Sequence, residues 1–250
     1  MKYLLTVLIL LVLQPIYADP GEATCYIKFD HGSVSDQGTG VAYCKDDTNV
    51  LVVTVAHGVR DHNPQSVYSL SFTHGVYGGR LVQRSSDQDL AIIMLTPKDP
   101  ASFPTVDVAD YPLPIGSKVY SIQHPMGDFT QTLQSGYTTT LTETNFGTKQ
   151  GGSGSGLFDS NGLLVGIIWG SDFHSYSAFT PSTTVHTYLT SQRQWCAGGR
   201  CYPMPQYNYR YKAKQKFDYQ PAPVKLLPLP DSNFKRDRKS TRLNSSHDQR

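Results

Sequence analysis

Short runs of strand-forming residues, broken repeatedly by Gly, Pro, Asn and Asp, constrain this chain more than any other feature. Ten such runs occur, at residues 25–29, 39–45, 50–56, 67–72, 79–83, 90–95, 118–123, 137–141, 156–158 and 163–169. Val, Thr and Tyr suit pleated, half-buried backbone, and turn residues clustered between the runs are what antiparallel sheets require. Only residues 183–194 (TTVHTYLTSQRQ) show helical spacing, with Val185, Tyr188 and Leu189 on one side. The pattern predicts an all-β fold of two small antiparallel β-barrels followed by a C-terminal helix. Nothing repeats at a fixed period, which excludes a solenoid or propeller. A single short apolar run excludes a polytopic membrane protein.

That apolar run is residues 4–13 (LLTVLILLVL), preceded by Lys2 and followed by Ile16-Tyr17-Ala18. A positive start, a short apolar stretch and a small residue describe a secretory signal over residues 1–18, with Asp19 as the mature start. The expectation is therefore a secreted or periplasmic protein, membrane-anchored if the segment stays uncleaved. At the other end, residues 237–247 (DRKSTRLNSSH) match one reading frame of a widely used short-read sequencing adapter. We read 237–250 as an artefact of assembly, which leaves the natural C-terminus missing, and exclude it from functional reasoning. Between lies 202–236, with Pro203, Pro205, Pro221, Pro223, Pro228 and Pro230 among interleaved tyrosines and lysines. This composition reads as an extended linker or tail of unknown partner rather than a nucleic-acid-binding stretch. The domain itself, 19–201, carries 10 Lys and Arg against 16 Asp and Glu. An acidic body with a basic tail is not the footprint of a nucleic-acid-binding domain.

Four cysteines show no metal-type spacing. Cys25 and Cys44 fall at mirrored positions about a turn near Val34, and Cys196 and Cys201 bracket a tight AGGR loop. With an export signal, two disulfides are expected, the first contributing about 3 kcal/mol by restricting the unfolded chain. His31, His62, His74, His124 and His186 show no ligand spacing, and His174 reads as a surface residue.

Three segments carry chemistry together. Residues 150–158 read QGGSGSGLF. A serine among glycines suits an exposed nucleophile, because small neighbours admit a substrate carbonyl and flexible backbone can aim N–H groups at one point. Neither Ser153 nor Ser155 has Gly both two before and two after, so the G-x-S-x-G elbow does not apply. Residues 51–59 (LVVTVAHGV) place His57 just past an apolar run. Residues 86–95 (SDQDLAIIML) place Asp89 directly before another, where a carboxylate is held partly buried and can orient an imidazole.

In the order His, Asp, Ser, these segments resemble the chymotrypsin-like serine proteases. TVAHGV is similar to their T-A-A-H motif, DLAIIML to the strand after their aspartate, and GGSGSGLF to their G-x-S-G-x-P segment. LLVGIIWGS resembles the strand lining their specificity pocket, and the late helix matches theirs in placement. The resemblance covers roughly residues 25–194. It is nearest to secreted bacterial glutamyl endopeptidases and the broader trypsin-like group that includes HtrA-type and viral enzymes. It implies two six-stranded antiparallel β-barrels and a triad of His57, Asp89 and Ser153. Asp87 and Ser155 are the nearby alternatives. It also implies an oxyanion hole from the N–H groups of Gly151 and Ser153, a substrate pocket drawn from Thr148, Ile168, Trp169 and Gly170, and peptide or protein substrates. No metal or cofactor is required.

Two departures bear on function. Where trypsin-type enzymes carry an aspartate just before the nucleophile, this chain has Gly152, so no trypsin-style activation switch is expected. Where glutamyl enzymes have a histidine before W-G, it has Ile168, and a substrate carboxylate there would lack a cationic partner. Three functions fit: a secreted serine endopeptidase, the protease of an RNA-virus-like polyprotein that processes its own precursor, and a non-catalytic binding module of protease fold.

Overall fold

The computed structural model describes residues 19–31, 34–59, 67–125, 130–191, 194–197 and 200–203, with 30, 31, 34, 35 and the last two stretches as backbone. They belong to the first of two compact units, Met1–Tyr209; the second is Arg210–Arg250. The expected leader at 1–18, the tail beyond Pro203 and the adapter-like 237–250 lie outside the described residues.

A helical turn, α1 (Pro20–Ala23), opens the chain, with the Asp19 carboxylate accepting the Gly21 N–H at 2.9 Å. Six strands then close a barrel: β1 (Thr24–His31), β2 (Val34–Lys45), β3 (Val50–Thr54), β4 (Val67–Phe72), β5 (Gly75–Ser85) and β6 (Leu90–Leu95). Every pairing is antiparallel, and the order β1-β2-β3-β6-β5-β4 returns β4 to β1. Closure leaves no unpaired edge. β3 (VLVVT) and β6 (LAIIML) are buried at every position, which is why they read as unbroken apolar runs. Their Val, Ile and Leu side chains each contribute about 1.5–3 kcal/mol through burial. The interior is tight enough that a Cβ on Gly79 would stand 2.5 Å from Ile93 Cγ2.

Six more strands form a second sheet: β7 (Lys118–Gln123), β8 (Thr132–Tyr137), β9 (Glu143–Thr144), β10 (Gly156–Phe158), β11 (Leu164–Ser171) and β12 (Ser177–Pro181). Their order is β8-β7-β10-β11-β12-β9, again antiparallel. The sheet curls around Val119, Leu157, Val165, Ile168 and Phe179. Its two edges meet at one bridge, Thr138 to Thr144, beside which Asn145 N–H donates to Tyr137 O at 3.0 Å. The first barrel thus closes by a full ladder and the second curls to a single bridge. Helix α2 (Ser182–Ser191) follows β12. Its Val185, Tyr188 and Leu189 join the first core, and Tyr188 Oη donates to Leu90 O at 3.2 Å. A hairpin of β13 (Gln194–Ala197) and β14 (Arg200–Pro203) comes last.

The all-β, chymotrypsin-like architecture with one late helix is therefore as expected. Locally three readings shift. The expected strand at 137–141 lies earlier, at 132–137, where TLQSGY has one exposed and one half-buried face and no regular apolar alternation. β9 and β12 went unread because ET is too short and SAFTP too mixed to signal a strand. The helix ends at Ser191 rather than 194.

The expected Cys25–Cys44 bridge is contradicted: both residues are buried and neither is in a disulfide. The cause is register. Cys25 pairs with Gly40 across the β1–β2 hairpin, so Cys44 lies beyond the start of β1 and pairs instead with Leu51 of β3. The hairpin turns about its true centre, not about Val34. The Cys196–Cys201 bridge falls on residues whose side chains lie outside those described. Burial pushes the Cys25 thiol well above its ordinary range and, with the Asp46 charge adding to it, the Cys44 thiol up to about 12. Neither presents a thiolate at neutral pH. Maleimide should leave Cys25 and Cys44 unlabelled in the folded protein and label both in urea, as read by peptide mapping. A cross-linked Cys25–Cys44 peptide would contradict this register.

Candidate active site

β3 and β6 are antiparallel neighbours with Thr54 opposite Ala91, so the residues just past β3 and just before β6 lie side by side. That adjacency brings His57 and Asp89 together across 32 residues of sequence. Ala56 N–H donates to Asp89 O at 3.1 Å. The Asp89 carboxylate then holds His57 twice: Oδ1 accepts the backbone N–H at 2.8 Å, and Oδ2 lies 2.6 Å from Nδ1. A carboxylate at that distance fixes the proton on Nδ1 and leaves Nε2 as the acceptor of a neutral imidazole. The side chains are 50% and 27% exposed, so the pair is open on the imidazole side.

Asp89 reaches this position through a backbone with φ of 50°, in the left-handed region that costs a non-glycine residue about 1 kcal/mol or more. Arg84 braces the arrangement. Its Nε donates to Ala56 O at 3.1 Å and Val59 O at 2.9 Å, and Nη1 donates to Ser86 Oγ at 2.6 Å. One guanidinium thus ties the His57 turn to the Asp89 turn. Asp87, the alternative carboxylate, is exposed.

Ser153 sits at the mouth of β10, in a loop whose peptide planes are held one after another. The Gly151 carbonyl accepts from Thr39 Oγ1 at 2.9 Å, and Gly152 N–H donates to Lys149 O at 2.9 Å. The Gly152 carbonyl accepts from Ser155 N–H at 3.0 Å and Ser155 Oγ at 2.6 Å. The Ser153 carbonyl accepts from Thr39 N–H at 2.8 Å, and Gly154 N–H donates to Ile168 O at 2.7 Å. What remains are the N–H groups of Gly151 and Ser153, for which no described residue supplies an acceptor. Ser155 is fully buried and already bonded, also accepting from Ser121 Oγ at 3.2 Å, whereas Ser153 is half-exposed.

Gly154 can take this path, at φ of 86°, because it lacks a Cβ; one would stand 2.0 Å from Thr39 O. A Cβ on Gly152 would meet Gln123 Oε1 at 2.8 Å and Lys149 O at 2.9 Å. An acidic side chain has no room there.

His57 and Ser153 open onto one cleft of about 320 Å³, lined also by Thr148, Gly151, Trp169 and Gly170. Thr148 is buried with its N–H donated to Ser171 Oγ at 2.8 Å. Ile168, expected beside them, is not a lining residue. On β11 it turns inward, wholly buried with Phe146, Leu157 and Phe179, while Trp169 is 46% exposed. The structure adds Phe173, 58% exposed at the rim with φ of 66°. Its loop is organised by Asp172, whose Oδ1 accepts from the N–H groups of His174, Ser175 and Tyr176 and whose Oδ2 accepts from Ser175 Oγ. Those bonds, the Ser175 hydroxyl first, hold the Asp172 carboxyl well below the usual carboxylate range. His174 itself is exposed. Among the described residues no cluster of His, Cys, Asp or Glu is arranged to hold a metal ion. Arg84, Asp172 and Phe173 went unread in the sequence because a lone Arg in a strand and a polar loop carry no spacing signal.

The geometry has counterparts. The description "Trypsin-like peptidase domain" fits residues 38–167, just over half of the 250-residue chain. A crystal structure of the serine endoprotease from Yersinia pestis superposes with a TM-score of 0.57 at 22% identity. That match covers 69% of this chain and 62% of the Yersinia chain, and at this identity it bears on fold. No curated protein matches.

Substituting Gly154→Ala should lower unfolding free energy by at least about 2 kcal/mol, from left-handed strain plus collision with Thr39 O. Urea denaturation reads this directly. Unchanged stability would mean that the loop does not pass Thr39 as described.

Proposed function

The chain belongs to the trypsin-like peptidase domain family, and we propose that it is a secreted serine endopeptidase using His57, Asp89 and Ser153 as its triad. The observation that carries this reading is the His57–Asp89 pair opening onto the same cleft as Ser153, beside two N–H donors without acceptors. Secretion rests on the 1–18 segment.

The mechanism follows from the protonation states. With Nδ1–H held by Asp89, His57 Nε2 takes the Ser153 hydroxyl proton as Oγ attacks a peptide carbonyl carbon. The carbonyl π pair moves to oxygen, and that oxyanion is met by the N–H groups of Gly151 and Ser153. Each such donor is typically worth about 3 kcal/mol in the transition state. The imidazolium, steadied by Asp89, returns its proton to the amine nitrogen as the C–N bond breaks. Water then repeats the sequence on the acyl-enzyme and frees the acid.

Substrates are peptides or proteins laid along the cleft, with side chains passing Trp169 and Phe173. Selectivity for glutamate is not expected. The position where glutamyl enzymes carry a cation is Ile168, enclosed in apolar core.

A fluorophosphonate probe and a mixed peptide library test the reading. Wild type should label and cleave, while Ser153→Ala should do neither. Asp89→Asn should lower kcat by about 10⁴-fold through the wrong imidazole tautomer. Ser155→Ala should still label while losing about 1 kcal/mol of stability with its buried bonds. Labelling that survives in Ser153→Ala would refute the assignment. A folded wild type that neither labels nor cleaves would favour a binding module.

A further inference from the structure

Thr39 lies on β2 of the first barrel, 112 residues before Gly151, yet it is fully buried against the loop that carries Ser153. All of its polar groups are committed. The hydroxyl donates its one proton to Gly151 O at 2.9 Å and accepts His124 N–H at 3.1 Å. The backbone N–H donates to Ser153 O at 2.8 Å, and the carbonyl accepts Thr54 Oγ1 at 2.7 Å. His124 N–H occupies an acceptor site of the hydroxyl, so its proton has one direction left, toward Gly151 O.

We propose that the Thr39 hydroxyl is a positioning residue for transition-state binding: by holding the Gly151 carbonyl inward, it keeps the flanking N–H groups of Gly151 and Ser153 aimed into the cleft. The inference rests on the triad reading above and adds to it a residue that touches neither substrate nor the reacting atoms. The physical basis is the freedom of the loop. Gly151, at φ of 90°, has little steric preference among backbone orientations, so hydrogen bonds must choose one. The bond from Gly152 N–H to Lys149 O is local to the loop, whereas Thr39 Oγ1 joins Gly151 to the rigid ladder of the first barrel. Without that hydroxyl, the peptide between Gly151 and Gly152 can rotate to seek another donor for its carbonyl and carry the neighbouring N–H off target. The oxyanion hole is then present but misaligned, a loss felt where charge develops on oxygen rather than on binding the uncharged substrate.

The test compares wild type with Thr39→Val, which keeps the branched shape and both backbone bonds but lacks the hydroxyl, and with Thr39→Ser, which restores it. Burst titration gives the concentration of active sites, so a variant that merely folds less well is corrected for. Per titrated site, Thr39→Val should lower kcat by about tenfold to a hundredfold with KM within about twofold of wild type. Affinity for a peptide aldehyde, whose hemiacetal oxygen occupies the oxyanion position, should fall in parallel. Thr39→Ser should recover most of both. A purely structural Thr39 would lower the melting temperature and the titratable fraction while leaving kcat per site and aldehyde affinity unchanged, and that result overturns the proposal. Should Thr39→Val not fold, Thr39→Cys replaces it, similar in size with a weaker donor, and the same comparison decides. Failure of wild type to titrate, or titration by Ser153→Ala, would overturn the triad reading and this proposal together; a fully titrating Thr39→Val of normal kcat overturns this proposal alone.

Discussion

The cleft depends on how the backbone between Gly151 and Ser155 is held. Glycines at φ of 90° and 86° let that stretch bend sharply, and the same freedom would let it collapse onto its own donors. Hydrogen bonds from two directions prevent this. Thr39 holds two carbonyls from the first barrel, and Ile168 binds Gly154 and Ser155 from the second sheet. The loop is suspended between two cores, and these bonds leave the N–H groups of Gly151 and Ser153 without an acceptor among the described residues.

The His57–Asp89 pair is positioned by a different device, strand adjacency. Two wholly apolar strands pair in a register that leaves their flanking turns in contact, and a strained Asp89 backbone with Arg84 behind it completes the grip. Packing energy from β3 and β6 therefore fixes a polar geometry that could not hold itself in water. The stability of the first barrel and the alignment of the imidazole share one cause.

Much of this was legible in the sequence because it lies at the ends of apolar runs. Residues 50–56 and 90–95 announce buried strands, and polar residues beside such strands have few places to go. Ser153 could be set above Ser155 only by alignment of motifs; the structure supplies the physical distinction, since Ser155 is spent on Gly152 O. The absence of an acidic residue at 152 was visible, but its steric reason, Gln123 and the Lys149 carbonyl, was not. The disulfide expectation failed because a hairpin's register follows its turn, and a mirror centre placed two residues too late sends Cys44 to a different neighbour. Successive residues of a strand also face opposite ways, and the motif alone did not say which of Ile168 and Trp169 is buried and which is exposed. Thr39 carried no signal at all, being one threonine among many in a strand.

A crystal structure of the protein bound to a peptide boronate would test the account at its centre. Boron should be bonded to Ser153 Oγ, with one boronate oxygen about 2.7–3.1 Å from the N–H groups of both Gly151 and Ser153 and His57 Nε2 beside the bonded oxygen. Boron on another residue, or a boronate oxygen turned away from those two donors, would contradict it.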